Sequence, residues 1–265
     1  MNKITIQNII EMKRRSEKIA MLTCYHNAHA KQLNDAGVDI ILVGDSLNMV
    51  LLGNENTLSC TVDQMLLFTK AVKKGNSKAL LVADMPFLSY GVSVEDSVRN
   101  AGRFFAEAGA EAVKIEGGEK VIPVIEALVK NNMPVMGHLG LTPQSLHQLG
   151  GFKIQGRTRE DRKKIRKDAK LLEKAGVFAI VLECIPYKLA KIITEEVSVP
   201  TIGIGAGKYC DGQVLVIDDL LGMDLYLKLK FVKKYLNLGK LIPEAVKSYI
   251  DDVKNGKFPD QDHSF

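Results

Sequence analysis

Runs of apolar residues recur along the chain in one plan. "AGVDIILVGD" (36–45), "AGAEAVKIEG" (108–117) and "AGVFAIVLEC" (175–184) each place Ala-Gly before an apolar stretch that ends in an acid. Similar runs lie between them: "KIAMLT" (18–23), "ALLVADM" (79–85), "PVMGHLG" (134–140), "PTIGIGA" (200–206) and "QVLVIDDLLG" (213–222). The runs are continuous instead of alternating, which is the pattern of strands covered on both faces. Amphipathic stretches such as 93–109 and 160–176 separate most of them. Ser93 followed by Asp96 reads as a helix start, with an acid in the first turn. Eight strands alternating with helices predict an α/β fold, a single (β/α)₈ TIM barrel over residues 1–265. An open doubly wound sheet is the alternative. The connection between the seventh and eighth strands is too short for a full helix. Residues from about 224 read as extra C-terminal helices.

Composition narrows the class. The 265 residues are 46% hydrophobic, enough for a core and too balanced for disorder. A net charge of +5 does not call for nucleic acid. The densest basic run, 157–170, has acids interleaved and reads as the solvated face of a helix. The first 18 residues carry no apolar core of signal-peptide length, and no run is long enough to span a membrane. Cys24, Cys60, Cys184 and Cys210 show no C-x-x-C spacing, as expected of reduced thiols in a cytoplasmic protein.

The acids change the picture further. A charged group behind a buried strand is costly unless it is paired, protonated or used. In a barrel the C-terminal strand ends form one face, where catalytic groups gather. Asp45, Asp84, Glu116 and Glu183 would meet there from strands two, three, four and six. Repulsion among them calls for a positive partner, and hard oxygen ligands suit Mg²⁺. Lys114, two residues before Glu116, points the same way. The plainer reading of any one acid is a helix cap or surface residue, with Ser46 capping the next helix. His138 ends strand five and is a supporting candidate that could donate a hydrogen bond to a substrate oxygen. "GIGAG" (203–207) lacks the full dinucleotide spacing and reads as a tight turn. His26, His29 and His147 share no metal-ligand spacing.

Taken in order, "ILVGDSLNMVLLG" (41–53), "LLVADMPF" (80–87), "VKIEGG" (113–118), "MGHLGLTPQS" (136–145), "VLECIP" (181–186) and "TIGIGAGKYCDGQVLVIDDLLG" (201–222) strongly resemble the ketopantoate hydroxymethyltransferase family. The likeness runs end to end, to the closing "FPDQDHSF". It implies a barrel of the phosphoenolpyruvate/pyruvate type, acting in pantothenate and coenzyme A biosynthesis. It implies transfer of a hydroxymethyl group from the co-substrate 5,10-methylenetetrahydrofolate to 3-methyl-2-oxobutanoate, through a Mg²⁺-stabilised enolate, giving 2-dehydropantoate. By the same resemblance, Asp45 and Asp84 are metal ligands and Glu116 is the third acid of the metal site. Asp45, Ser46, Asp84 and Lys114 bind the ketoacid, and Glu183 takes the proton. A cytoplasmic homodecamer of two pentameric rings is also implied.

Two departures stand out: His26 where the family commonly carries an acid, and Ser59-Cys60 where Pro-Val is usual. Glu183, behind an apolar strand, is expected to be a partly buried base. The long stretch 141–158 reads either as a lid or folate-contacting loop or as an ordinary surface loop. Two other functions compete: a Mg²⁺-dependent carbon–carbon lyase or mutase acting on a 2-oxo acid without folate, and a barrel used as a scaffold. A scaffold has no need of strand-end acids.

Overall fold

A computed structural model describes residues 2–265. Eight parallel strands close into a barrel in sequence order: β1 (Ile19–Thr23), β2 (Ile40–Val43), β3 (Leu80–Asp84), β4 (Ala112–Glu116), β5 (Val135–Gly140), β6 (Ala179–Glu183), β7 (Thr201–Ile204) and β8 (Gly212–Leu215). The ring closes where β8 pairs with β1, Ile19 opposite Gly212. The open-sheet alternative is thereby excluded.

Successive side chains in a strand point to opposite faces, so every second residue lines the interior. Ile19 and Met21, Ile40 and Leu42, Leu80 and Val82, Ala112, Met136, Ala179 and Val181, Ile202 and Val214 form one buried cluster. Helix α1 (Ile6–Arg14) precedes β1 and adds Ile9 and Ile10 to it. The Ile4 amide donates to the Lys78 carbonyl, just before β3, which places this segment at the N-terminal end of the strands.

The outer helices are α2 (Asn27–Ala36), α4 (Val62–Gly75), α5 (Val94–Ala106), α6 (Ile122–Lys130), α8 (Arg159–Lys174) and α9 (Tyr187–Glu196), with one-turn helices α3 (Leu47–Val50) and α7 (Leu146–Leu149). Their starts follow local chemistry. Ser93 caps α5 through the Asp96 amide, and Thr61 with Gln64 forms a capping box on α4. Helix α8 is the basic run; its charged face meets solvent, while Ile165, Ala169, Leu172 and one acid, Asp168, are buried. Its carboxylate accepts from the Glu119 amide and from Lys164. A side chain on Gly118 would lie 2.2 Å from Asp168, so this close approach requires glycine. No helix joins β7 to β8.

The eighth run divides. Strand β8 stops at Leu215, and Ile217–Leu221 forms the short helix α10. Asp218 and Asp219 sit in its first turn and Gly222 ends it in the left-handed conformation, both of which favour a helix over a longer strand. The backbone groups into two compact units, one ending at Leu215 and the other spanning Val216–Phe265. The second contains α10 and α11 (Leu238–Lys254), and α11 has no fully buried residue. Among the described residues, no helix is long and apolar enough to cross a membrane.

Candidate active site

The inward-facing rows change character at their C-terminal ends. On β3, Leu80 and Val82 are followed at the same parity by Asp84; on β4, Ala112 by Lys114 and Glu116. On β5, Met136 is followed by His138, and on β6 Ala179 and Val181 lead to Glu183. The strand period thus carries four apolar rows into ionisable groups at one mouth. Asp45 and Ser46 come from the loop just past β2. A Cβ on Gly44 would meet Ser46 Oγ at 2.8 Å and Asp84 Oδ2 at 3.4 Å, so glycine lets this loop approach β3.

Strand register then pairs the groups. Asp84 lies opposite Lys114, and Glu116 opposite His138. Lys114 Nζ is 2.9 Å from Asp84 Oδ1 and 3.2 Å from His138 Nδ1. His138 Nδ1 is 3.4 Å from Glu116 Oε1, and His138 Nε2 is 3.2 Å from Glu183 Oε2. Asp84 Oδ1 and His138 Nε2 make these ion-pair contacts without an aligned hydrogen bond. The Asp45 amide donates to Asp84 Oδ2 at 3.1 Å. Asp45, Asp84, Lys114, Glu116 and His138 are all buried, while the Glu183 side chain is 17% exposed and sits at the rim.

Burial, then the charges of Asp84 and Glu116, hold the Asp45 carboxyl well above the usual carboxylate range; Lys114 and Gln144 only partly offset this. Burial also raises Asp84, against the pull of Lys114. Glu116 is penalised by burial, yet His138, Lys114 and the Gln144 amide bring it below the ordinary value. Lys114 loses solvation, but three surrounding carboxylates keep it firmly protonated. For His138, burial and Lys114 act downward. The Glu116 and Glu183 carboxylates act upward and prevail, raising it to about 9. Nδ1 therefore faces a cation, Lys114, and a carboxylate, Glu116, at once.

Three further residues join the site without having been singled out in the sequence. Tyr25 OH lies 2.9 Å from Ser46 Oγ. Ser46 makes no cap bond to α3, so its hydroxyl faces the site instead of serving the helix. Gln144 bridges Asp45 and Glu116, and Tyr90 bonds both Gln144 and the Glu116 backbone. Tyrosine and glutamine in strand-end loops carry no periodic signal, so only the fold reveals them.

The departures have local explanations. His26 caps α2 by accepting from the His29 amide, and the two rings lie tilted against each other with centroids 3.9 Å apart. Ser59 Oγ accepts from Asn48 Nδ2 at 2.9 Å, and Cys60 is buried. "GIGAG" forms a turn in which Gly205 and Gly207 have positive φ.

Among the described residues, no three His, Cys, Asp or Glu side chains form a ready-made metal cluster. The donor chemistry nevertheless fits a hard divalent cation. Mg²⁺ uses only one or two protein carboxylates and completes its shell with water and substrate. Asp45 and Asp84 are buried side by side at a cost that such a charge would offset.

The profile of the ketopantoate hydroxymethyltransferase family matches residues 3–261. A 3-methyl-2-oxobutanoate hydroxymethyltransferase of Clostridium botulinum (strain Langeland) is 57% identical over 261 residues, covering 98% of this chain and 95% of the relative. One from Syntrophus aciditrophicus is 55% identical, covering 99% and 97%. Among solved structures, phosphonopyruvate hydrolase complexed with oxalate and Mg²⁺ superposes with a TM-score of 0.63 at 13% identity, covering 99% of this chain and 93% of that one. A 2,3-dimethylmalate lyase of the PEP mutase/isocitrate lyase superfamily gives 0.60 at 13%, covering 98% and 89%. At 13% identity these two likenesses show the fold alone. The sequence likeness is far closer: this chain belongs to the ketopantoate hydroxymethyltransferase family.

Proposed function

We infer that the chain is a 3-methyl-2-oxobutanoate hydroxymethyltransferase of pantothenate biosynthesis. It passes a one-carbon unit from 5,10-methylenetetrahydrofolate to 3-methyl-2-oxobutanoate, with water supplying the hydroxyl oxygen, and yields 2-dehydropantoate and tetrahydrofolate. The observation that carries this reading, beside the full-length likeness to relatives of that name, is a partly exposed Glu183 at the rim of a buried charged mouth, 3.2 Å from His138.

Each side chain has a task. Asp45 and Asp84 would hold Mg²⁺, with Glu116 the third acid of the set. When bound, the cation supplies positive charge where the ketoacid's carboxylate and keto oxygens carry negative charge. Lys114, fixed between Asp84 and His138, adds a second positive charge for the same oxygens. Ser46, its hydroxyl held by Tyr25, offers a hydrogen bond to the ketoacid. His138 donates toward the keto oxygen as charge develops there. Glu183 takes the C3 proton: the C–H bond breaks, its electron pair becomes the nucleophile for the one-carbon unit, and the proton stays on the carboxylate. At the rim, Glu183 would serve as the base while Asp45 and Asp84 would hold the cation.

We further propose a homodecamer in the cytoplasm. Supporting assembly, α11 exposes Leu241, Ile242, Val246, Tyr249, Ile250 and Val253. The function is tested by incubating the chain with ketoacid, methylenetetrahydrofolate and Mg²⁺ and following 2-dehydropantoate by mass spectrometry. Product that depends on folate is expected. Consumption of the ketoacid without folate would point instead to a lyase or mutase.

A further inference from the structure

Gln144 is buried in the turn Pro143–Ser145 that follows β5, and its side-chain amide and backbone N–H are all used inside the mouth. Its Nε2 donates to Asp45 Oδ2 at 2.8 Å and to the Met85 carbonyl at 2.9 Å. Its Oε1 lies 2.7 Å from Tyr90 OH, and its own backbone amide donates to Glu116 Oε2 at 3.0 Å. The amide cannot be turned over, because the Met85 carbonyl only accepts and so requires nitrogen there. Tyr90 is equally determined. The Glu116 amide donates to its oxygen at 3.1 Å, and the phenol has one proton to give. That proton goes to Gln144 Oε1 in preference to the Glu116 carbonyl, which is 3.3 Å away. One chain of bonds thus runs from the Glu116 backbone through Tyr90 and Gln144 to Asp45, with a return from the Gln144 amide to the Glu116 carboxylate. It ties together the ends of β3 and β4, the loop after β2 and the turn after β5.

We propose that Gln144, set by Tyr90, is a positioning residue that aims the Asp45 and Glu116 carboxylates for the divalent cation. A side chain needed only to fill this space would not require both amide donors and the acceptor to be committed, one of them on a carboxylate oxygen. The proposal rests on the cation-binding reading of Asp45 and Asp84 given above.

The test uses Mn²⁺ as the probe and the full chain without ketoacid, with bound metal measured by calorimetry and by the electron paramagnetic signal of free Mn²⁺. Gln144→Met keeps the length and removes the side-chain bonds to Asp45, Met85 and Tyr90, leaving the backbone amide on Glu116; Tyr90→Phe keeps the ring and removes the hydroxyl. Gln144→Met is expected to weaken Mn²⁺ binding by about 10–100-fold, the usual effect of removing a group that orients a metal ligand. Tyr90→Phe is expected to weaken it less. Because the two act in one chain, the double variant should lose little more than Gln144→Met alone. Far-UV circular dichroism and the metal-free Tm report on the fold separately. Affinity in both variants within about twofold of wild type, whatever happens to Tm, would overturn the proposal. If Gln144→Met does not fold, Tyr90→Phe decides: unchanged Mn²⁺ affinity overturns it. Wild-type protein that binds no Mn²⁺ would refute the cation reading itself, and is measured first.

Discussion

Glu183 and its neighbour show what single residues contribute. Cys184 follows the proposed base with φ 46, a backbone conformation rarely adopted by residues other than glycine. Its amide donates to the Ile204 carbonyl, and its own carbonyl accepts from the Gln155 amide, which holds the turn in place. Burial, then the Glu183 charge, pushes its thiol up to about 11. The thiolate is the reactive form. Alkylation of Cys184 by iodoacetamide is therefore expected to be slow at pH 8 and to rise about tenfold per pH unit until pH approaches the raised value. Glu183→Gln removes the neighbouring charge and should speed the reaction at a given pH. Mass spectrometry of tryptic peptides reads both, and a rate matching that of an unhindered thiol would contradict the environment described. At this scale the ionisable side chains were legible, because an acid behind an apolar run is conspicuous. Tyr25, Tyr90 and Gln144 were not. Their roles depend on which loops the barrel brings together, and no spacing encodes that.

Among the elements, the apolar runs located the strands, because parallel strands buried on both faces leave an uninterrupted signal. The eighth run was the exception. Its apolar content continued past Leu215, and only the acids and glycine around α10 marked the change to helix. Strand β5 and the end of β6 approach closely at Gly140. It has φ 99, and a Cβ there would stand 2.1 Å from the Glu183 carbonyl oxygen and 2.8 Å from Ile185 Cγ2. Gly140→Ala combines backbone strain with a clash against the residue carrying the base. It is expected to cost more than about 2 kcal/mol in urea unfolding and to remove most activity. A wild-type unfolding midpoint would refute that packing argument. The stretch 141–158 is anchored at both ends, by Leu141 donating to the Glu183 carbonyl and by Gln155 donating to the Cys184 carbonyl. Phe152 and Ile154 are exposed between glycines of positive φ and α8. If this stretch is a lid, ketoacid with Mg²⁺ should slow its cleavage in limited proteolysis; equal rates with and without ligand would make it an ordinary loop.

At the level of the whole molecule, the barrel brings five buried ionisable groups to one mouth with Glu183 at its rim, and the unit from Val216 carries an apolar surface on α11. Light scattering after gel filtration should report ten copies of the 29.2 kDa chain. A monodisperse monomer would contradict the assembly. The central claim is that Glu183 removes a proton from a ketoacid held beside a bound cation. Its most direct test needs no folate: 3-methyl-2-oxobutanoate is incubated with the protein in D₂O, with Mg²⁺ or with EDTA, and the C3 proton is followed by NMR. Exchange that requires Mg²⁺, and that falls on the order of 10²–10⁴-fold in a folded, metal-binding Glu183→Gln variant, is the expected result. Exchange that persists in EDTA, or that survives Glu183→Gln at near the wild-type rate, would contradict it.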